Sequence, residues 1–236
     1  MKTLRIAGLW LLALGVATAC ATTQVSNRQA YTGEKLARPD RILVYDFAAT
    51  VGEIPAESTL AGQTAEPAAP PTAEQLEAGR KLGEEVAKDL AEEIQKMGLP
   101  AVRAQGQPGP RPGEIVIKGY FLSVDEGSAV KRIVVGFGSG GAELKTMVEG
   151  FLMTEQGLRR LGSGEVSSGG GKMPGVAVPL VVTLATANPI GLVVGGAVKA
   201  TGELTGSSTI EGSGRRTADE IAKQLEVKFR EQGWIE

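Results

Sequence analysis

The sequence has no histidine. Ser-His-Asp triads, Cys-His dyads and histidine-ligated zinc are therefore excluded. It has one cysteine, Cys20, so no disulfide can close within the chain. Aromatic residues make up only 4% of the chain, too few for rows of base-stacking platforms. Neither sign of charge dominates: 25 Lys and Arg stand against 27 Asp and Glu. The charges are interspersed, with no basic stripe to follow a phosphate backbone, so nucleic acid is not expected as a partner. No metal site and no cofactor are expected. Acid–base chemistry would be left to carboxylates. Asp46, Asp125 and Glu126 are the candidates near strand ends, and each reads first as a solvated turn charge. The chain is not expected to be an enzyme, and no catalytic residue is assigned.

What the chain does have begins at its first residues, MKTLRIAGLWLLALGVATAC. Lys2 and Arg5 are a short positive region, Ile6 to Val16 an apolar run of signal-peptide length, and Ala17-Thr18-Ala19 the small residues of a cleavage site. Residues 1–19 are read as a signal peptide. Cys20 follows at once, and here the chain resembles bacterial lipoprotein precursors. Their usual motif has Leu where this sequence has Ala17. The resemblance implies lipidation at Cys20. An ordinary signal peptide cut after Ala17 or Ala19 is the alternative. One acyl chain gives only marginal membrane binding, at about 0.8 kcal/mol per buried CH2, whereas the anchor implied by the resemblance has several chains and holds stably. Ala21, in place of the Asp that favours inner-membrane retention, implies the outer membrane with the body facing the periplasm.

Residues 20–38 are polar and aperiodic and read as a lipidated, flexible tether. Residues 39–236 read as one domain, with a mobile Pro- and Ala-rich loop over 48–71. PDRILVYDF, from Pro39, predicts a buried strand. Leu76, Leu82, Val86, Leu90, Ile94 and Met97 recur at helical spacing, opposite Glu84, Glu85, Lys88, Glu92, Glu93 and Lys96. The helix is expected over 72–97, with Thr72 and Gln75 as a capping box and Gly98 as its stop. PAVRAQ then supplies a second strand, giving a βαβ crossover with parallel strands. From Glu114 to Val166 four strands are expected, 114–124, 130–137, 143–154 and 158–166, joined by turns as an antiparallel meander. A C-terminal helix is expected from Thr217 to Gln232, capped by Thr217 and Glu220, with Trp234 and Ile235 packing back on the body. The fold class is α/β (α+β): a mixed sheet with two main amphipathic helices packed on it.

Two stretches invite a sharper reading. Gly136, Gly138 and Gly141 match G-x-G-x-x-G after an apolar run, and Glu155 stands near the position of a ribose-binding carboxylate. A pyrophosphate, however, needs a helix opening after the glycines. The following AELKTMVEGFLMT contains Thr146, Val148, Gly150 and Phe151, poor helix formers, and leaves no room for a crossover. The glycines are expected to form a hairpin connection, and no nucleotide partner is expected. Residues 173–198 carry no charge and are long enough to span a bilayer, although Pro179 and Pro189 oppose one continuous helix. A buried hairpin or helix pair, an oligomer or membrane-touching interface, and a true spanning segment remain open.

Taken together, ARPDRILVYDFA, the long helix, GFGSGGAELK, the apolar stretch and the terminal GWI resemble a bacterial lipoprotein family, domain of unknown function 4410. That family is distantly similar to the TolB amino-terminal domain and to the curli secretion lipoprotein CsgG. The resemblance implies a mixed sheet covered by helices and an envelope role, and supplies no catalytic residues. The expected function is a non-enzymatic binding or scaffolding module held on the membrane by its lipid, with a protein partner or self-association. The alternative is a subunit of an envelope transport or secretion assembly.

Overall fold

The computed structural model describes residues 22–29, 31–61, 73–125, 143–169 and 210–236. Cys20, the Thr72 cap, Glu126, the expected strand over 130–137, the glycines at 136–141 and the segment 173–198 lie outside them.

Six strands form one mixed sheet: β1 (Thr22–Gln29), β2 (Ile42–Val44), β3 (Ala101–Arg103), β4 (Ile115–Asp125), β5 (Glu143–Thr154) and β6 (Gly157–Gly169), in the spatial order β1-β6-β5-β4-β2-β3. Helix α1 (Ala73–Lys96) links β2 to β3, which are parallel, and β2 is also parallel to β4. β4, β5, β6 and β1 run antiparallel. The expected fold class is thus observed: a βαβ crossover joined to an antiparallel meander, with α1 and the C-terminal helix α2 (Ile210–Gln232) on the sheet.

Both helices cover the same face. Ile42 and Val44 from β2, Ile115, Ile117 and Phe121 from β4, and Leu144 from β5 meet Leu82, Val86, Leu90 and Ile94 of α1 and Ala218, Ile221, Ala222 and Phe229 of α2. Those positions on α1 are the stripe that its periodicity predicts. Gly98 ends α1 with φ +84°, a conformation costly for any residue with a Cβ. The opposite face has a smaller buried cluster of Leu43, Val116 and Phe151, edged by Tyr45, Val102 and Leu158.

Three expectations are corrected. Residues 22–29, expected within a flexible tether, are an edge strand paired with β6, Val25 opposite Val166. The pairing is carried by backbone hydrogen bonds, so a polar sequence suffices at an edge. The rest of that stretch is also tied down: the Leu36 N–H donates to Gln232 Oε1 at 2.6 Å, and the Trp234 indole N–H donates to the Leu36 carbonyl at 3.0 Å. Residues 48–61, expected within a mobile loop, lie on the sheet. Ala48 bridges to Tyr120, and the Thr59 N–H donates to Glu149 Oε1 at 3.0 Å. Finally, α2 begins at Ile210, and Thr217 is buried within it instead of capping it. Ser168 Oγ bonds the Ser213 carbonyl at 2.9 Å and lies 2.6 Å from Thr217 Oγ1. The early turns need small residues: a Cβ on Gly214 would lie 3.0 Å from Leu82 Cδ1, where α1 and α2 cross.

One buried ion pair fastens the start of β4. Arg41 Nε and Nη2 donate to Glu114 Oε1 and Oε2 at 3.0 and 2.7 Å, and the Arg111 N–H donates to Oε2 at 2.8 Å. Burial pushes the pKa of the Glu114 carboxyl up, but the bonds from Arg41 and Arg111 outweigh it and hold the pKa below its ordinary value. A depressed folded-state value adds stability above the unfolded value of about 4.3, and that stability is lost as pH falls through the folded value. Glu114→Gln is therefore expected to lower stability at neutral pH by about 1–3 kcal/mol and to flatten the acid limb of the stability–pH curve. Urea titrations from neutral to acid pH check this; an unchanged acid limb would remove Glu114 from the account.

Candidate functional site

A cleft of about 350 Å3 lies between α2 and the strands β1, β6, β5 and β4. Val25 and Leu36 from the N-terminal stretch, Val148 and Leu161 from the sheet, and Leu225 and Trp234 from α2 and its end supply apolar wall. The wall is set by local structure. α2 presents Ile221, Leu225 and Phe229 to the sheet at helical spacing. Gly233, at φ +77°, turns the chain so that Trp234 folds back and stacks on Phe229, their ring centroids 5.4 Å apart. The rim is polar: Arg28, Gln224, Lys228, Glu231 and Gln232. Lys228 is paired with Glu231 at 2.7 Å, whereas Arg28 is exposed and has no acidic partner among the described residues.

A second, charged crevice lies at the carboxyl ends of the parallel strands, where open α/β sheets commonly hold ligands. It contains Asp46, Glu53, Glu77, Arg80, Lys81, Glu84 and Arg103. Its charges are largely spent on one another. Arg103 holds Asp46 bidentately at 2.6 and 2.8 Å and reaches Glu84 at 2.7 Å, while Arg80 meets Glu53 at 3.1 Å. The Asp46 bond comes first among the causes that raise the Arg103 guanidinium above its ordinary value.

A third polar group is buried on the opposite face. Glu149 is fully buried in β5. Its Oε1 accepts from the Thr59 N–H at 3.0 Å and Oγ1 at 2.7 Å, and Arg160 Nη1 lies 3.9 Å away. Among the described residues, Glu149 Oε2 and the Tyr120 hydroxyl find no well-placed partner. Burial and the Glu149 charge push the Tyr120 phenol far above its ordinary range, so it stays neutral. Lys118, over the Tyr45 ring at 5.2 Å, has its ammonium lowered by burial.

The structure scatters the candidate carboxylates. Asp46 is locked to Arg103 at the end of β2, Asp125 closes β4, and Glu126 is outside the described residues. Glu155 sits exposed in the β5–β6 turn. The residues after Gly141 run as strand β5, so no helix N-terminus opens there to take a pyrophosphate. Among the described residues, no group of three or more Cys, Asp or Glu side chains could hold a metal ion. No helix among them is long and apolar enough to cross a membrane. Sequence reasoning did not find the cleft or Glu149. The one signal available for the cleft was the trio of glycines at 150, 162 and 164 within strands.

No curated protein matches the chain. Among solved structures, the PelC dodecamer from Paraburkholderia phytofirmans is similar in two crystal forms. A point variant is 15% identical, covering 63% of this chain and 81% of that chain with a TM-score of 0.34. The other is 14% identical, covering 63% and 82% with a TM-score of 0.33. A family model matches residues 42–187, most of the chain and β2 through β6, while β1 and α2, which wall the cleft, flank the matched span. The chain belongs to the family described as Domain of unknown function (DUF4410).

Proposed function

We propose that the protein is an outer-membrane lipoprotein, anchored through Cys20 and facing the periplasm, whose body is a non-enzymatic binding or scaffolding module of the cell envelope. The observation that carries the binding reading is the apolar cleft beneath α2, a concave surface of the size that small-ligand sites have, roughly 300–1,000 Å3. The engagement of the Asp46, Glu53 and Glu84 carboxylates by arginines in the charged crevice supports the non-enzymatic part of the proposal. The anchor rests on the leader sequence and on Cys20, two residues ahead of β1. That spacing would hold the body close to the bilayer. Membership of a lipoprotein family with distant likeness to the TolB amino-terminal domain and the curli lipoprotein CsgG belongs to the same proposal.

The second reading, a subunit of an envelope transport or secretion assembly, is motivated by the uncharged segment 173–198. Light scattering on the chain from Ala21, which lacks the lipid site and retains all six strands and both helices, separates the two. A monomer or small oligomer without detergent is the expected result. A ring-sized particle, or one that needs detergent, would overturn the module and make the assembly reading lead.

A further inference from the structure

The strands flooring the cleft omit side chains where there is room for them. Gly150 and Gly162 are cross-strand partners and Gly164 is paired with Val148, so all three face the cleft. A Cβ on Gly150 would meet nothing within 4 Å, and one on Gly164 only Val25 Cγ1 at 3.9 Å. Gly162 has a separate reason, since its Cβ would lie 2.5 Å from the Gln29 carbonyl oxygen where β1 passes. Glycine within a strand costs roughly 0.5–1 kcal/mol relative to alanine and forgoes the packing of a side chain. The glycines at 150 and 164 thus keep open an apolar floor that side chains could have filled.

The cleft is also long. Its α2 wall runs from Ile221 to Gln232, about 16 Å at the 1.5 Å rise of a helix. Val227, 51% exposed, stands at the lip, and Arg28 offers a cation on the rim with no acidic partner among the described residues.

We propose that the cleft binds a single-chain amphiphile, its hydrocarbon tail along the Gly150 and Gly164 floor and its anionic headgroup at Arg28. The inference rests on the binding reading above and narrows its ligand class. Fatty acids and lysophospholipids share this chemistry. Trp234 reports directly, because it walls the cleft and is the sole tryptophan once the leader with Trp10 is gone.

The test titrates the chain from Ala21 with palmitate and, separately, with lysophosphatidylglycerol, each below its micelle concentration, reading Trp234 emission and the bound mass by native mass spectrometry. One equivalent of at least one of them, saturably bound, is the expected result, and the tighter of the two names the source. Gly150→Leu should fill the floor and weaken binding by about tenfold or more without lowering the urea midpoint. Arg28→Glu, on the exposed rim, should weaken the anionic ligands several-fold and leave a neutral alkyl maltoside unaffected. If neither probe binds, or if Arg28→Glu weakens charged and neutral ligands alike, the proposal is overturned. Such a failure leaves the anchored module standing, since anchoring and solution mass are measured separately.

Discussion

Gly83→Ala is expected to cost more than about 3 kcal/mol of folding stability, enough to leave much of a marginally stable domain unfolded. Local propensity alone predicts the opposite sign. Alanine in a helix interior is favoured over glycine by about 1 kcal/mol. Tertiary geometry decides the matter. The β2–α1 connection crosses α1 at Gly83, where a Cβ would stand 2.1 Å from the Phe47 carbonyl oxygen and 3.1 Å from its carbonyl carbon. The obstacle is backbone, so no rotamer change relieves it. The same approach lets the Phe47 N–H donate to the Gly83 carbonyl at 3.2 Å, and Phe47 in turn lays its ring over Gly119. Moving α1 off Phe47 would open the contact of Leu82, Val86 and Leu90 with the sheet. Urea unfolding followed by Trp234 emission measures the effect. Gly150→Ala is the control: its Cβ enters open space, and the midpoint should stay level or rise. Equal midpoints for the two variants would show that α1 does not sit on Phe47 as described.

Glu149→Ala should be the second large loss, about 3 kcal/mol. Glu149 is buried in the central part of β5 and is the acceptor for both the N–H and the hydroxyl of Thr59. Removing the buried carboxylate leaves the half-buried Thr59 donors without that acceptor and creates a cavity beside Tyr120. Glu149→Gln keeps an acceptor oxygen and the volume, and should cost roughly half as much. Hydrogen exchange locates the effect. Thr59 and Leu60 should lose protection in Glu149→Ala, ahead of the β4–β5 ladder. Uniform loss across the sheet would mean that Glu149 supports the sheet as a whole and does not tether the 55–61 segment.

How far the sequence could be read depended on where each element finds its partners. α1 was legible because its apolar stripe repeats at 3.6 residues and its stop is a glycine followed by proline. The β5–β6 hairpin was legible because Glu155-Gln156-Gly157 is a strong turn, and Gly157 does take φ +111°. β1 was not legible. TTQVSNRQ has no alternation to announce it, and its order comes from backbone pairing with β6, far away in the chain. The first turns of α2 were hidden by Gly212, Ser213 and Gly214, which read as loop until α1 is seen crossing there. Glu149 carried no local signal, because its partner Thr59 is 90 residues away. The cleft was harder still. It is a void, and the residues that create it are glycines, whose contribution is the side chain they lack.

Cys20 alone is proposed to hold the folded body on the membrane. Density-gradient fractionation of envelopes from cells producing the full chain, beside the Cys20→Ser variant, tests it most directly. The wild-type chain is expected to sediment with outer membrane, and its N-terminal peptide to carry the mass of acyl chains. Cys20→Ser is expected to be released without detergent and to keep the wild-type urea midpoint. A Cys20→Ser chain that stays with the membrane and needs detergent to leave it would contradict the account, placing the attachment in the body of the protein.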